Sequence, residues 1–222
     1  MTAAAYLAEA FRVPGSDFDY RERAYLLVNQ VAAVLLIIVL SPMFVVVAIL
    51  LWRADGLPIL FAHHRVGRGG ILFPCFKFRT MIRNADRVLA DHLANDPLAR
   101  ARWQRDHKLA MDPRVTPIGR VLRRTSLDEL PQLFNVLRGE MMLVGPRPIT
   151  AIELQRYGVV RWHYLSVRPG MTGLWQISGR SSVGYDDRVM LDRYYVERRN
   201  PVLDIVILFK TIRVVVDRDG AH

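Results

Sequence analysis

From Val31 to Trp52 the chain carries 22 residues without a charged side chain, and arginines stand on both sides, Arg21 and Arg23 before, Arg53, Arg65 and Arg68 after. As one helix, a run of about 22 residues rises ~33 Å and matches the hydrocarbon core of a bilayer. Pro42 stands in its middle, where a missing N–H and a clash with the preceding turn divide it into halves of ~15 Å each. Positive flanks favour the cytoplasmic side, and here both ends carry them. The pattern therefore predicts a re-entrant helix over residues 24–53, broken at Ser41-Pro42, that enters and leaves by one face. The Ser41 hydroxyl is a ready partner for a carbonyl freed at the break. A Pro-kinked crossing and a buried core helix are the competing readings. Some thirty residues, among them Asp17, Asp19 and Glu22, precede the run, which argues against a cleaved signal peptide and for a segment retained in the mature protein.

Around this segment the pattern changes period. Residues 1–23 read as a short leader. Apolar β-type runs flank Gly67-Arg68-Gly69-Gly70 and predict a hairpin. Residues 84–111 read as helix, interrupted at Asn95-Asp96-Pro97. Residues 112–148 alternate short apolar helices with turns, a composition that often carries sites. RPGMTGLWQISGR reads as loop with a short strand, and residues 186–199 as helix. The closing PVLDIVILFKTIRVVV holds Asp204, Lys210 and Arg213, and so suits an interfacial helix better than a crossing. The fold class expected is α+β and mostly helical. A broken membrane helix, a hairpin and interfacial amphipathic helices surround one small cytoplasmic catalytic domain over residues 54–222.

Composition narrows the partners. The formal charge is +10, which calls for anions: nucleic acid, acidic lipid headgroups or phosphorylated substrates. The apolar segment favours the last two, and no helix-turn-helix, RNP or zinc-finger signature supports nucleic acid. Cys75 is the one cysteine, so no internal disulfide forms. His63 and His64 lack zinc-ligand spacing. The glycines at 67–70 are followed by neither a Lys-Ser/Thr pair nor GxGxxG, which speaks against nucleotide-loop chemistry and for a plain turn.

Asp128 and Glu129 lie in TSLDELPQL, with Arg123 and Arg124 before and Arg138 after. Adjacent acids among arginines suit phosphoryl transfer: one carboxylate attacks phosphorus, the other holds a divalent ion, and guanidinium forks bind phosphate oxygens. The plain alternative is a capping box, Ser126-x-x-Glu129, at a helix start. Pro131 weakens it, because a helix begun at Ser126 would lose a hydrogen bond there. Lys77 and Arg79 alternate with Phe76 and Phe78, which by itself also fits an edge strand with a solvated face. Trp162, Trp175, Tyr164, Tyr194 and Tyr195 read as core or interface residues by default.

Taken together, these residues resemble the bacterial monotopic phosphoglycosyl transferases. The resemblance runs through Ser41-Pro42, Lys77-Phe78-Arg79-Thr80-Met81, the DPR of residues 112–114, TSLDELPQL, NVLRGEM, the GPRP of residues 145–148, RPGMTGLWQISGR and the LDRYYV of residues 191–196. It implies a membrane-bound transferase that moves a hexose 1-phosphate from a UDP-hexose, glucose or galactose favoured, to polyprenyl phosphate and releases UMP. It implies a covalent phosphosugar on Asp128, with Glu129 associated with Mg²⁺ and Lys77 important for activity. By the same matching Arg79, Arg123, Arg147 and Arg180 are phosphate contacts, and Asp192, Ser41 and Pro42 have supporting roles. The implied location is the bacterial inner membrane with the catalytic domain in the cytoplasm, and the implied partners include membrane lipids, with a homodimer left open. The short N-terminus reads as a catalytic core without the added transmembrane bundle of larger members. A non-enzymatic basic adaptor of a polysaccharide assembly complex is the competing class.

Overall fold

The computed structural model describes residues 20–106, 109, 111–179 and 184–216. The first element is α1 (Tyr20–Asp55), 36 residues long and continuous through Pro42. Pro42 leaves the carbonyl of Ile38 without its helical donor, and Ser41 Oγ donates to that same oxygen at 2.8 Å. The helical assignment thus does not end at Ser41-Pro42, and it extends beyond 24–53 in both directions. The part of the expected leader before Tyr20 lies outside the described residues.

One stripe of α1 faces the rest of the protein. Glu22, Asn29, Ala33, Val47 and Leu51 are buried, with Ile37, Leu40 and Phe44 packed among them at three- and four-residue spacing. The other side, including Leu27, Val31, Leu35, Val39, Val46, Ile49 and Leu50, is exposed. Both ends are fastened to the same body. Glu22 pairs with Arg68 at 3.2 Å, with Arg168 at 3.1 Å and with Arg199. At the far end the carbonyls of Asp55 and Gly56 accept from Arg79 Nη2 at 3.0 and 2.8 Å.

The expected hairpin forms from β1 (Leu60–Val66) and β2 (Leu72–Phe78), antiparallel, with Phe61 opposite Lys77 and His63 opposite Cys75. Alternation along β2 sends Phe73 and Cys75 into the core beside Ala33, and turns Phe78 to the other face against Val47 and Leu51. Lys77 continues the face of Phe73 and Cys75 out of the core.

Helices α2 (Ala85–Asn95) and α3 (Pro97–Asp106) meet at Asp96, whose Oδ1 accepts from the N–H groups of Leu98 and Ala99, both at 2.9 Å. In α4 (Pro117–Arg124), Thr116 is the N-cap, accepting from Gly119 N, and Pro117 occupies the first turn. Gly119 sits where a Cβ would come 2.1 Å from the carbonyl oxygen of Thr80, so α4 can lie directly on the chain leaving β2.

After α5 (Gln132–Leu137) the chain makes β3 (Met142–Val144), which pairs in parallel with the distant β4 (Gly170–Thr172). Between them lie α6 (Ala151–Gln155) and α7 (Arg161–Ser166). Beyond β4 come α8 (Leu174–Ile177), α9 (Tyr185–Arg198) and α10 (Pro201–Val216). Helix α10 buries Asp204 and Ile207 and exposes Val202, Ile205, Phe209 and Ile212 along one side. Among the described residues the fold is mostly helical, with two small two-stranded sheets.

In the core under α9, Asp192 is buried and accepts from Tyr157 Oη at 2.8 Å, while its Oδ1 has no hydrogen-bond partner. Burial pushes its carboxyl up to about 7, against the opposing effects of the Tyr157 hydrogen bond and the Arg147 charge. The folded value exceeds the unfolded one, so the stability it contributes is complete below the ordinary carboxyl range and is lost as pH rises through about 7. Between pH 6 and 8 this amounts to about 1 kcal/mol. Asp192→Asn keeps an acceptor for Tyr157 and cannot ionise, so thermal melts of the variant should lose less stability over that range than the parent. Gly119→Ala drives a methyl into backbone and should cost about 3 kcal/mol or more in a denaturation midpoint.

Candidate active site

The Asp128-Glu129 pair sits on a 3₁₀ turn, Leu127–Glu129, between α4 and α5. Ser126 enters it with φ 56° and ψ 16°, a left-handed conformation, and makes no side-chain cap hydrogen bond. The capping box that Ser126-x-x-Glu129 would allow is therefore not formed; Thr150 and Glu153 make one instead, at the start of α6. Pro131 falls at the N-cap of α5, where its missing N–H costs no helical bond.

Asn135 fixes this turn against β2. It is fully buried, accepts from Phe76 N at 3.0 Å and donates to the carbonyl of Pro74 at 2.7 Å and to Glu140 Oε2 at 2.6 Å. One side chain thus takes the place of a third strand along β2. Lys77, two residues from Cys75, is carried to the carboxylates: its Nζ lies 2.6 Å from Glu129 Oε1 and 3.9 Å from Asp128 Oδ2. Arg123 is set by Thr80, whose Oγ1 accepts from its Nε at 2.9 Å.

Asp128 is buried, and desolvation pushes its carboxyl up to about 6; Lys77 opposes this, Glu129 adds to it, and Arg123 opposes it again. A carboxylate so held is ionised at neutral pH yet poorly solvated, the condition of an activated nucleophile.

These groups line a cleft of about 1160 Å³ that also takes in Arg79, Arg147, Trp175 and Arg188. Arg147 and Arg188 both stack on Trp175, their guanidinium carbons 5.7 and 4.8 Å from the ring centre. Two cations on one ring beside a lysine and two further arginines make a cleft suited to a diphosphate. Of the residues singled out from sequence, Lys77, Arg79, Arg123, Asp128, Glu129 and Arg147 come together here. Asp192 does not: it lies buried behind the wall, bonded to Tyr157. Arg180 lies outside the described residues, and Ser41 and Pro42 belong to α1. The reading of residues missed Asn135, Trp175 as a stacking ring and Arg188. Asn135 had one signal, a buried-helix pattern interrupted by an amide.

Comparison with known proteins agrees. The sequence model described as bacterial sugar transferase matches residues 20–218. An undecaprenyl-phosphate galactose phosphotransferase of Salmonella typhimurium is 54% identical over 195 residues, covering 86% of this chain and 40% of the relative. The exopolysaccharide production protein ExoY of Sinorhizobium fredii is 49% identical over 190 residues, covering 86% of this chain and 84% of the relative. An undecaprenyl-phosphate glucose phosphotransferase of Komagataeibacter xylinus is 41% identical over 214 residues, covering 91% and 37%. The chain thus spans about 40% of the length of the first of these and most of the second. A match over nearly all of the described residues means that this chain belongs to the bacterial sugar transferase family.

Proposed function

We propose that the protein transfers a hexose 1-phosphate from a UDP-hexose to undecaprenyl phosphate, the first step of exopolysaccharide or related glycan assembly. The observation that carries this reading is the buried Asp128 between Lys77 and Arg123, in a cationic cleft beside a helix with an exposed apolar face. The names of the relatives from Salmonella and Komagataeibacter support the acceptor, and support galactose or glucose as the sugar.

In the reaction an oxygen of Asp128 attacks the sugar-bearing phosphorus. The bond from that phosphorus to the bridging oxygen breaks, and UMP leaves with the electron pair. The phosphosugar stays on Asp128 as an acyl phosphate. An oxygen of the lipid phosphate then attacks the same phosphorus, the bond to Asp128 breaks, and polyprenyl diphosphate sugar forms. Arg123 and Arg147 bind phosphate oxygens, and Lys77 holds Glu129 and keeps Asp128 ionised.

Mg²⁺ fits this donor set. The described residues hold no group of three or more His, Cys, Asp or Glu, yet this ion is commonly bound by one or two carboxylates with substrate phosphates and water completing its shell. Glu129 would hold it. Bound there, the ion would neutralise charge on the phosphates.

The attachment of both ends of α1 to one body supports a re-entrant helix in the inner membrane over one that crosses. A crossing would carry the second end about 30 Å away from the body that grips it. Arginines at both flanks support a cytoplasmic domain, and the exposed apolar side of α10 supports its lying in the interface.

Purified protein with polyprenyl phosphate should release UMP from UDP-glucose or UDP-galactose, and Asp128→Asn should lower the rate about a thousandfold or more. Unchanged turnover by that variant, or no UMP from any nucleotide sugar, refutes the reading and favours the adaptor. The acid limb of kcat/KM should fall near pH 6, where Asp128 takes up its proton. Lys77→Met removes the charge that holds this value down, so the limb of the residual activity should move to higher pH.

A further inference from the structure

Arg79 is only 8% exposed, and one of its three guanidinium nitrogens is engaged. Nη2 donates to the two carbonyls that end α1, while Nε and Nη1, shielded from bulk water, meet no acceptor in the protein. A guanidinium stays charged at any physiological pH and cannot escape burial by losing a proton. An unmatched buried cation is unfavourable and calls for an anion. Asp55 does not serve: its backbone carbonyl is engaged, but its carboxylate makes no ion pair with Arg79, and its own Oδ2 lacks a partner.

The surroundings say which anion. Arg79 lines the cleft together with Pro58 and Phe61. Leu57, Leu60 and Phe61 are exposed there and continue the apolar surface of α1 past Trp52 to the cleft. A headgroup arriving on an apolar chain has a dry path to this edge. The Arg147 and Arg188 pair on Trp175 belongs to other elements, which suits a water-borne donor.

We propose that an unpartnered N–H of the Arg79 guanidinium receives the phosphate of the lipid acceptor, leaving the donor diphosphate to Arg123, Arg147 and Arg188. This rests on the transferase reading above. It divides the cleft's cations by substrate: α1 delivers the acceptor to an arginine that α1 itself orients. Nε and Nη1 share no edge of the guanidinium, so the lipid phosphate is held by a single charge-assisted N–H···O bond and the fixed positive charge.

Two half-reactions separate the roles. In the first, enzyme and UDP-hexose without lipid give a burst of UMP no larger than the enzyme present. In the second, turnover is followed against undecaprenyl phosphate in detergent or vesicles. Arg79→Gln should keep the burst and the donor KM and raise the acceptor KM about tenfold to a hundredfold. Arg79→Lys keeps the positive charge and one donor for the carbonyls of Asp55 and Gly56 but loses the further N–H groups; it should fold as the parent does and show a smaller rise in the same constant. Asp55→Asn should leave the acceptor KM unchanged. A lost burst or a raised donor KM in the folded Lys variant overturns the assignment, as does an acceptor KM that neither Arg79 variant moves. Failure of the parent protein to release UMP at all would instead defeat the transferase reading, and this inference with it.

Discussion

Helix α1 is gripped at its first turn by Arg68, Arg168 and Arg199 around Glu22, and at its last by Arg79 on the carbonyls of Asp55 and Gly56. Between those ends a single stripe packs on the domain, and the rest of an apolar surface faces outward. Water does not accommodate such a face cheaply, at roughly 25 cal/mol per Å² of apolar area left exposed, whereas a bilayer does. Polar anchorage at both ends and an exposed apolar face between are two demands on one helix, and under the proposed membrane association they would hold the domain close against the apolar phase. The cleft that opens beside the end of α1 inherits that position.

Within the cleft the same economy of burial acts on Asp128. Its carboxyl is withdrawn from water, which raises its proton affinity, and Lys77 and Arg123 return enough charge to keep it ionised at neutral pH. The withdrawal also suits the acyl phosphate proposed above, which would have to meet a lipid oxygen before water. Local structure serves this end. A left-handed Ser126 turns the chain so that the carboxylates leave the helix start, and Asn135 ties the following helix to the strand that carries Lys77.

Much of this was legible in the sequence because it is local. The apolar run, the glycine turn between two β-type segments, the helix break at Asp96 and the C-terminal helix each announce themselves within a few residues. So did the acids of 128–129 among arginines. What could not be read is non-local. Val144 meets Thr172 in a parallel pair only after the intervening chain has folded. Asn135 is an amide in an apolar helix until Pro74 and Phe76 arrive beside it. Pro42 looked like an end because the loss of its N–H is visible in sequence; the Ser41 hydroxyl was a legible partner for the freed carbonyl, but that the helix runs on through both is a matter of geometry. The hydroxyl of Tyr157 that Asp192 accepts from, and the guanidiniums of Arg147 and Arg188 over the Trp175 ring, come from distant stretches of chain.

The central claim is that a carboxylate oxygen of this chain carries the sugar phosphate between the two substrates. Acid quench after brief exposure to UDP-hexose labelled in the sugar-bearing phosphorus, followed by peptide mass mapping, tests it most directly. The account predicts one hexose phosphate per chain, on Asp128, discharged when undecaprenyl phosphate is added before the quench. Label on another side chain, or none under conditions that preserve acyl phosphates while UMP is still formed, would contradict it.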